Sequence, residues 1–143
     1  MAGIETIIVG VDGSESSRAA LRWAYDEATH HGATLTVLAS WHAPTLPTSP
    51  GTGFEEGYET LPRRSAMSML DELVAELDDR DPAVDIRTSI EEGNPAEVLI
   101  ERSKGCDLLV VGSRGHGGFA GMLLGSVSHH LVGHAHCPVV VVR

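Results

Sequence analysis

Residues 107–128, DLLVVGSRGHGGFAGMLLGSVS, decide the fold of this chain. The segment opens with four apolar residues, 108–111, which is the length of a short buried strand. Next comes a run rich in glycine, followed by serines: Gly112, Gly115, Gly117, Gly118, Gly121, Gly125, Ser126 and Ser128. The apolar residues that follow have a spacing that suits a helix. The succession of strand, glycine loop and helix start is typical of phosphate-binding sites.

This succession suits an anion for a physical reason. Glycine has no Cβ, so its backbone can adopt positive φ and approach a ligand closely. Successive backbone N–H groups can then converge on one anion, and the following helix adds N–H donors and the positive end of its dipole. The alternative is a surface loop that needs glycine only to turn. The strand–loop–helix context favours the phosphate site.

The glycine spacing excludes two common nucleotide motifs. A Walker A loop requires Gly-Lys-Ser/Thr, and here Ser126 follows Gly125 with no lysine between them. A dinucleotide fingerprint requires an acidic residue about twenty positions further on, and none follows. The spacing that is present is Gly112-x2-Gly115-x9-Gly125-Ser126. It is more specific than a lone glycine triplet, because it combines three glycines and a hydroxyl over a long loop.

Length, charge and the N-terminus limit the classes of function. A chain of 143 residues suits one domain, residues 1–143, with its own core. The formal net charge of −10 argues against a nucleic-acid partner, which would need a basic face. No apolar run approaches the ~20 residues that cross a bilayer, so membrane insertion is not expected. The N-terminal MAGIETIIVGV lacks the basic region and cleavage site of a signal peptide, which favours a cytoplasmic location.

Periodicity and turn residues predict alternating strands and helices. The predicted strands cover residues 6–11, 33–40, 84–90, 108–111 and 138–142. The predicted helices cover residues 14–31, 61–79, 95–104 and 126–134. This alternation predicts an α/β fold with a single doubly wound, five-stranded parallel sheet and four helices, with strand 84–90 at an edge. In such a sheet ligands bind beyond the carboxyl ends of the strands, so Asp12 and Gly112 are candidates for the two sides of a crevice.

The sequence resembles the universal stress protein family, and its glycine spacing matches the ATP-binding subgroup. The resemblance covers nearly the whole chain and is carried by IIVGVDGS at 7–14, GSRGHGG at 112–118, LLGSVSHHLV at 123–132 and HCPVVVV at 136–142. It implies a Rossmann-like fold of the adenine nucleotide alpha hydrolase type, with sheet order 3-2-1-4-5. It also implies ATP binding, dimers joined through the last strand, and a cytoplasmic role in stress survival or growth arrest.

The resemblance implies a group of residues that faces the phosphates: Gly112, Gly115, Gly125, Ser126, Val127 and Ser128. The three glycines would let backbone amides wrap the phosphates. The hydroxyls of Ser126 and Ser128 would add donors at the helix N-terminus, together with the amide of Val127.

The remaining implied site residues are Gly10, Val11, Asp12, Gly13, Ser40, Arg114 and His116. Arg114 and His116 lie in the loop and could reach phosphate oxygens or ribose, although an exposed surface charge is an equally simple interpretation of Arg114. Asp12 could hold ribose hydroxyls, or a metal ion such as Mg²⁺ that bridges to phosphate. The simpler interpretation of Asp12 is an N-cap of the first helix. Val11 and Ser40 would contact adenine.

Two classes of function remain open at this point. In the first, ATP or a related adenine nucleotide is held and its occupancy alters contacts with a dimer mate or partner. In the second, the chain is a slow ATPase or phosphotransferase, with Asp12 and His116 as candidate catalytic groups. The loop contains no lysine and no second arginine to meet developing charge, so the binding module is preferred.

The C-terminal region carries three further features. His129, His130, His134, His136 and Cys137 are dense, but no carboxylate accompanies them, so a surface or interface cluster is preferred over a zinc site. Cys106 and Cys137 form no CxxC pair and are expected to be buried free thiols. The terminal segment PVVVV begins at Pro138 and ends at Val142. Its apolar edge needs a cover, which predicts a homodimer paired through this strand.

Overall fold

The computed structural model describes residues 3–41, 60–77, 82–114 and 125–143. Within these ranges strands and helices alternate as the sequence predicts. Their bounds are β1 (Thr6–Gly10), α1 (Glu15–His31), β2 (Thr34–Trp41), α2 (Thr60–Ala75), β3 (Ile86–Glu92), α3 (Pro95–Ser103), β4 (Leu108–Gly112), α4 (Ser126–His134) and β5 (Val139–Val142). The loop between β2 and α2 lies largely outside the described residues.

The strands form one parallel sheet in the order β3-β2-β1-β4-β5. The predicted fold class and strand order are confirmed, and β3 lies at an edge as expected. The first strand is central, with β2 on one side and β4 on the other. Successive strands are therefore added on one side of β1 up to β3 and on its other side from β4 onward, so the strand order reverses between β1 and β4.

Each face of the sheet carries its own core, because successive strand residues point to opposite sides. One face packs Ile7 and Val9 against α1 and α2, with Leu21 and Leu73 among the buried helical residues. The other face packs a smaller set against α3 and α4, comprising Ile8, Leu38, Leu99, Leu109, Val111 and Leu131. Burial of each large aliphatic side chain contributes roughly 1.5–3 kcal/mol, so both layers of helices are held mainly by this apolar contact.

Two helix ends follow the residues that the sequence predicts, Gly32 at the end of α1 and Asn94 at the start of α3, whereas Ser14, predicted as the first residue of α1, is its N-cap. Ser14 caps α1 by accepting a hydrogen bond from Ser17 N, and Gly32 ends the helix in the left-handed conformation at φ 66°. Asn94 caps α3 by accepting from the amides of Ala96 and Glu97. Among the helices described, none is both long enough and apolar enough to cross a membrane.

Two predicted elements have boundaries that are wrong by two residues or more. β3 begins at Ile86 and ends at Glu92, two positions later than predicted, because its pairing with residues 35–41 of β2 sets its ends. α2 ends at Ala75, earlier than the predicted 79, and its last turn tightens where Leu77 N donates to Val74 O. Leu77, two residues past the end of the helix, is buried in the core.

The carboxyl end of β4 approaches the first turn of α1 so closely that no side chain fits between them. A Cβ at Gly112 would lie 2.7 Å from both the carbonyl carbon and the carbonyl oxygen of Ser16. These are backbone atoms, which cannot rotate away as the end of a flexible side chain can. Glycine at position 112 is therefore required by packing, whatever else it does.

At the opposite end of the sheet, Asp107 ties the start of β4 to the start of β1. Its Oδ2 accepts hydrogen bonds from Glu5 N at 2.9 Å, Thr6 N at 3.1 Å and the Thr6 hydroxyl at 3.2 Å. The two backbone amides, followed by the hydroxyl, hold the pKa of this carboxyl below its usual 3.8 because they stabilise the ionised form.

The close approach at Gly112 predicts a position-specific loss of stability. Gly112→Ala should lower the free energy of unfolding by about 1–3 kcal/mol through overpacking, and Tm by roughly 3–10 °C. The matched control is Gly133→Ala in α4, where no heavy atom lies within 4 Å of the added Cβ. There Ala should be neutral or stabilising by up to ~1 kcal/mol. Equal effects of the two substitutions in thermal unfolding would contradict this packing.

Asp107 predicts a pH dependence with a defined sign. A lowered carboxyl pKa stabilises the folded chain fully above pH 3.8, and this contribution fades as the pH falls further, through the folded-state value. The Tm of Asp107→Asn should therefore lie below that of the wild type at neutral pH, and the gap should shrink below pH 3.8. Asp85→Asn, which removes an exposed partner of Arg87, is the control and should have little effect. A pH-independent gap would show that the charge of Asp107 is not involved.

Candidate functional site

The candidate site lies where the sheet changes its direction of winding. β1 is followed by β2 on one side, whereas β4 pairs with the other side of β1. The helices that follow β1 and β4 leave in different directions, which opens a crevice at the carboxyl ends of these two strands. We call this region the switch corner and define it by residues 11–14, 112–114 and 125–128.

The turn after β1 forms one side of the switch corner. Val11 N still donates to Leu38 O of β2 at 2.9 Å, so the strand remains anchored one residue past its end. Asp12 Oδ1 then accepts from Ser14 N at 2.9 Å across Gly13, whose φ is 86°. Asp12 therefore shapes the turn, and the N-cap of α1 is Ser14. The simpler interpretation of Asp12, as the N-cap, is wrong.

The end of β4 forms the second side and is fastened directly to the first. Arg114 N donates to Ser16 Oγ at 3.1 Å, and the Ser14 hydroxyl donates to Arg114 O at 3.4 Å. The backbone of residue 114 is thus held by two serines from the beginning of α1. The glycine loop leaves the sheet from this fixed point, and the Arg114 side chain is exposed there.

The glycine loop is also closed at its base. Gly125 N donates to Ser113 O, and the Ser128 hydroxyl lies 3.3 Å from Ser113 O and 3.1 Å from Gly125 O. Ser113 N in turn donates to Val142 O of β5 at 2.8 Å. These bonds therefore hold the end of β4 and the start of α4 together. Both lie at the end of the sheet where the turn after β1 is found.

The first turn of α4 presents backbone donors to the switch corner. Gly125 is its N-cap, with an extended conformation and no side chain to accept hydrogen bonds from first-turn amides. Ser126 is exposed and Val127 is half-buried. A helix start that lacks a side-chain cap and carries the positive end of the dipole is suited to an anionic ligand.

The structure brings together most of the residues that the sequence predicts for the site. Those at the switch corner or on the strands that lead into it are Gly10, Val11, Asp12, Gly13, Gly112, Arg114, Gly125, Ser126, Val127 and Ser128. Ser40 is half-buried near the carboxyl end of β2, the strand next to β1. Gly115 and His116 lie outside the described residues, so their predicted contacts stay predictions.

Two of these residues have a structural role that the sequence analysis missed. Ser128 is buried, and its hydroxyl bonds to the carbonyls at the loop base, so it holds the loop rather than pointing outward as a donor for phosphate. A Cβ at Gly10 would lie 2.8 Å from Leu99 Cδ1, which shows that this glycine makes room for the core beneath the site.

Other residues at the switch corner were not predicted from the sequence. Ser16 and Ser113 supply the contacts that join α1, β4 and α4. The Arg18 guanidinium donates to Gly13 O at 2.6 Å and forms an ion pair with Glu76, so it supports the turn after β1. The run SESS at 14–17 is the one signal for this role, since it places hydroxyls together at a helix start.

Two of the three histidines of α4 stack on each other. The His130 and His134 rings lie 4.4 Å apart between centroids at an interplanar angle of 10°, and His134 Nδ1 lies 2.9 Å from His130 O. Within the described part of the chain, no three His, Cys, Asp or Glu side chains are arranged to hold a metal ion.

Comparison with known proteins bears on the family of the chain. The model of the universal stress protein family matches residues 3–143. A universal stress protein of Mycolicibacterium smegmatis is 39% identical over 137 residues, which cover 96% of this chain and 45% of that protein. The chain thus spans about half the length of the curated relatives it matches.

Solved structures of the same family share the fold. The universal stress protein UspA from Lactobacillus plantarum is 26% identical, with a TM-score of 0.72 and 100% of both chains covered. A universal stress protein crystallised in complex with cAMP is 27% identical, with a TM-score of 0.73 over 99% of this chain and 98% of that one. The family model, the identity to a curated relative and the shared fold agree, and the chain belongs to the universal stress protein family.

Proposed function

We propose that the chain binds an adenine nucleotide, with ATP as the first candidate, at the switch corner and acts as a regulatory module in a stress response. The observation that carries the proposal is the convergence of three segments there: the turn after β1, the end of β4 and the start of α4. Open parallel sheets bind ligands at such a position.

The phosphate tail would lie against the start of α4 and the backbone of the glycine loop. Gly125 leaves the first-turn amides without a capping side chain, so phosphate oxygens can accept their hydrogen bonds. The exposed hydroxyl of Ser126 and the guanidinium of Arg114 lie at the two ends of the loop and would add donors. Local donors of this kind are needed because the chain as a whole carries a formal charge of −10.

The nucleoside would lie on the β1 side of the switch corner. The carboxylate of Asp12 offers oxygen atoms suited to ribose hydroxyls or to Mg²⁺, which prefers oxygen ligands. Val11 and Ser40, beside the ends of neighbouring strands, would form the adenine side. The complex of a similar universal stress protein with cAMP supports an adenine nucleotide as the ligand class.

We further propose that the nucleotide is held rather than turned over. Arg18 lies next to the switch corner, but Glu76 already pairs with its guanidinium and Gly13 O accepts from it. Because its donors are used in this way, the guanidinium supports the turn and is poorly placed to stabilise the negative charge that develops on a phosphate in the transition state of transfer. The location in the cytoplasm and the absence of a nucleic-acid partner stay predictions of the sequence.

The nucleotide proposal predicts a specific loss of affinity in Gly115→Ala. Titration calorimetry of the purified chain with ATP, AMP and cAMP should show saturable binding of at least one of them. The substitution should weaken that binding about tenfold or more, equivalent to ~1.4 kcal/mol, because the proposal places phosphate against the backbone of residue 115, where a Cβ would intrude.

Gly133→Ala is the matched control, since it makes the same chemical change at a glycine with open space around it. It should leave the affinity unchanged, and the Tm of each variant separates lost binding from lost folding. Absence of binding by all three nucleotides at millimolar concentration would refute the proposal. Phosphate release from ATP at ~1–100 s⁻¹ would assign the site to an enzyme instead.

We propose that the chain forms a homodimer through β5, the second edge of the sheet. The carbonyls of Pro138 and Val142 accept from Leu109 N and Ser113 N, so their backbone faces β4. Because direction alternates along a strand, the backbone groups of Val139 and Val141 face the outer edge. A short apolar edge with outward N–H and C=O groups favours pairing with a second copy about a two-fold axis.

The dimer proposal predicts that Val141→Pro yields a folded monomer. Proline removes an N–H that faces the outer edge and leaves the hydrogen bonds to β4 in place. Val141→Thr is the control, because it keeps the backbone amide and the β-branched shape and should remain dimeric. Light scattering at micromolar concentration measures the mass. A monomeric wild type, or a dimeric Val141→Pro, would contradict pairing through β5.

A further inference from the structure

A pair of thiols lies at the amino end of the sheet, opposite the switch corner. Cys106 precedes β4 and Cys137 precedes β5, and the two are 31 positions apart in sequence. Their Sγ atoms are 3.7 Å apart, and both residues are half-buried. The two thiols are free, as the sequence predicts, but they are half-buried and in direct contact with each other.

We propose that Cys106 and Cys137 are a modification site, at which a carboxylate-bearing low-molecular-weight disulfide oxidises the pair to an intramolecular disulfide. Geometry is the first support. A disulfide requires an S–S distance of about 2.05 Å, so the sulfurs must approach by roughly 1.7 Å. Neither cysteine belongs to a strand, since β4 begins at Leu108 and β5 at Val139. Their side chains can rotate without breaking the sheet.

Access is the second support. A cleft of about 290 Å³ opens on the α3 face of the sheet and reaches Cys106. Its polar wall includes three hydroxyls, two guanidiniums and one carboxylate, from Thr6, Thr34, Thr36, Arg87, Arg102 and Glu101, and the Glu101 carboxylate is paired with Lys104. A cleft that leads to a thiol and is lined by such donors suits a small disulfide with carboxylate groups.

The charges around this cleft are partly compensated. Arg102 Nη1 lies 2.8 Å from Glu91 Oε2, and Arg87 Nη2 lies 2.9 Å from Asp85 Oδ2. A guanidinium has five N–H donors, so an ion pair through one or two nitrogens leaves room for a second carboxylate. Arg87 is largely exposed, which makes it the better placed of the two to meet an incoming anion.

The reaction is an ordinary two-step exchange. The Cys106 thiolate attacks one sulfur of the small disulfide, forming a mixed disulfide and releasing the first small thiolate. The Cys137 thiolate then attacks the Cys106 sulfur, forming the protein disulfide and releasing the second. The two protons from the cysteines end on the two released thiols, and the two electrons reduce the small disulfide.

The pKa values of the two thiols limit the rate of this exchange. Burial, followed by the neighbouring Cys137, raises the pKa of Cys106 to about 12, and burial raises the pKa of Cys137. Asp107 lies nearby and raises the pKa of both thiols further. Both are protonated at neutral pH, so the exchange is slow and the pair responds to sustained rather than brief oxidation.

The bond would enclose the part of the chain that carries the proposed nucleotide loop. The segment between the two cysteines contains β4, the glycine loop and α4. Closing a loop of this length lowers the entropy of the unfolded chain and stabilises the fold. The inference does not depend on nucleotide binding, because the cysteines lie at the other end of the strands.

The test uses the full chain equilibrated with glutathione disulfide. Both free thiols should be lost, the intact mass should fall by two hydrogen atoms, and a peptide map should join Cys106 to Cys137 within one chain. Thermal unfolding without reductant should show a Tm raised by roughly 5–15 °C over the reduced chain. Addition of reductant should reverse all of these changes.

Single substitutions test the order of events. Cys137→Ser cannot complete the second step and should accumulate one glutathione on Cys106. In that background Arg87→Gln should slow the addition several-fold, whereas addition of the uncharged 2-hydroxyethyl disulfide should be unaffected. If Arg87→Gln changes the rate of addition equally for both disulfides, the proposed role of the cleft is refuted.

Three results would overturn the proposal. The first is that both thiols remain free after equilibration with excess glutathione disulfide. The second is a disulfide that joins two chains, seen as a reducible dimer on a denaturing gel. Stoichiometric zinc bound to the purified, untagged chain and lost in Cys106→Ser would assign the pair to a metal.

Discussion

The contact between the end of β4 and the first turn of α1 is the constraint on which the switch corner depends. At Gly112 the two backbones are so close that even a methyl group would meet the Ser16 carbonyl. The same approach brings Arg114 within reach of Ser14 and Ser16. Because β1 leads directly into α1, this contact makes one rigid unit of the turn after β1 and the origin of the glycine loop. Any ligand at the corner would contact both sides at once.

The two ends of the sheet have different chemistry. At the carboxyl end, serine hydroxyls and backbone amides predominate, and the start of α4 has a glycine cap. At the amino end, the Asp107 carboxylate ties β4 to β1, and two thiols lie in contact. A parallel sheet produces this division, because all of its strands end on the same side and begin on the other. A substitution at the amino end can therefore alter stability without touching the switch corner.

Glycine was the hardest residue to interpret from sequence. Gly10 and Gly112 precede the turns of the switch corner, and the family resemblance assigns both to the ligand site, Gly112 because glycine permits close approach. The structure identifies what approaches them: Leu99 in one case and the Ser16 backbone in the other. A glycine indicates that another group packs closely against the backbone. The sequence does not tell which group, because the neighbour comes from a distant part of the chain. Ser128 shows the same ambiguity, since its hydroxyl serves the loop base.

The sequence by itself determined the alternation of strands and helices, the caps at Gly32 and Asn94, and the place of the candidate site after β1 and β4. These features depend on periodicity and on short-range hydrogen bonds, which neighbouring residues specify. Only the tertiary structure decided the two-residue shift of β3, the meeting of residues 16 and 114, and the contact of two cysteines 31 positions apart. Such pairs are brought together by the packing of whole helices and strands, which no local pattern records.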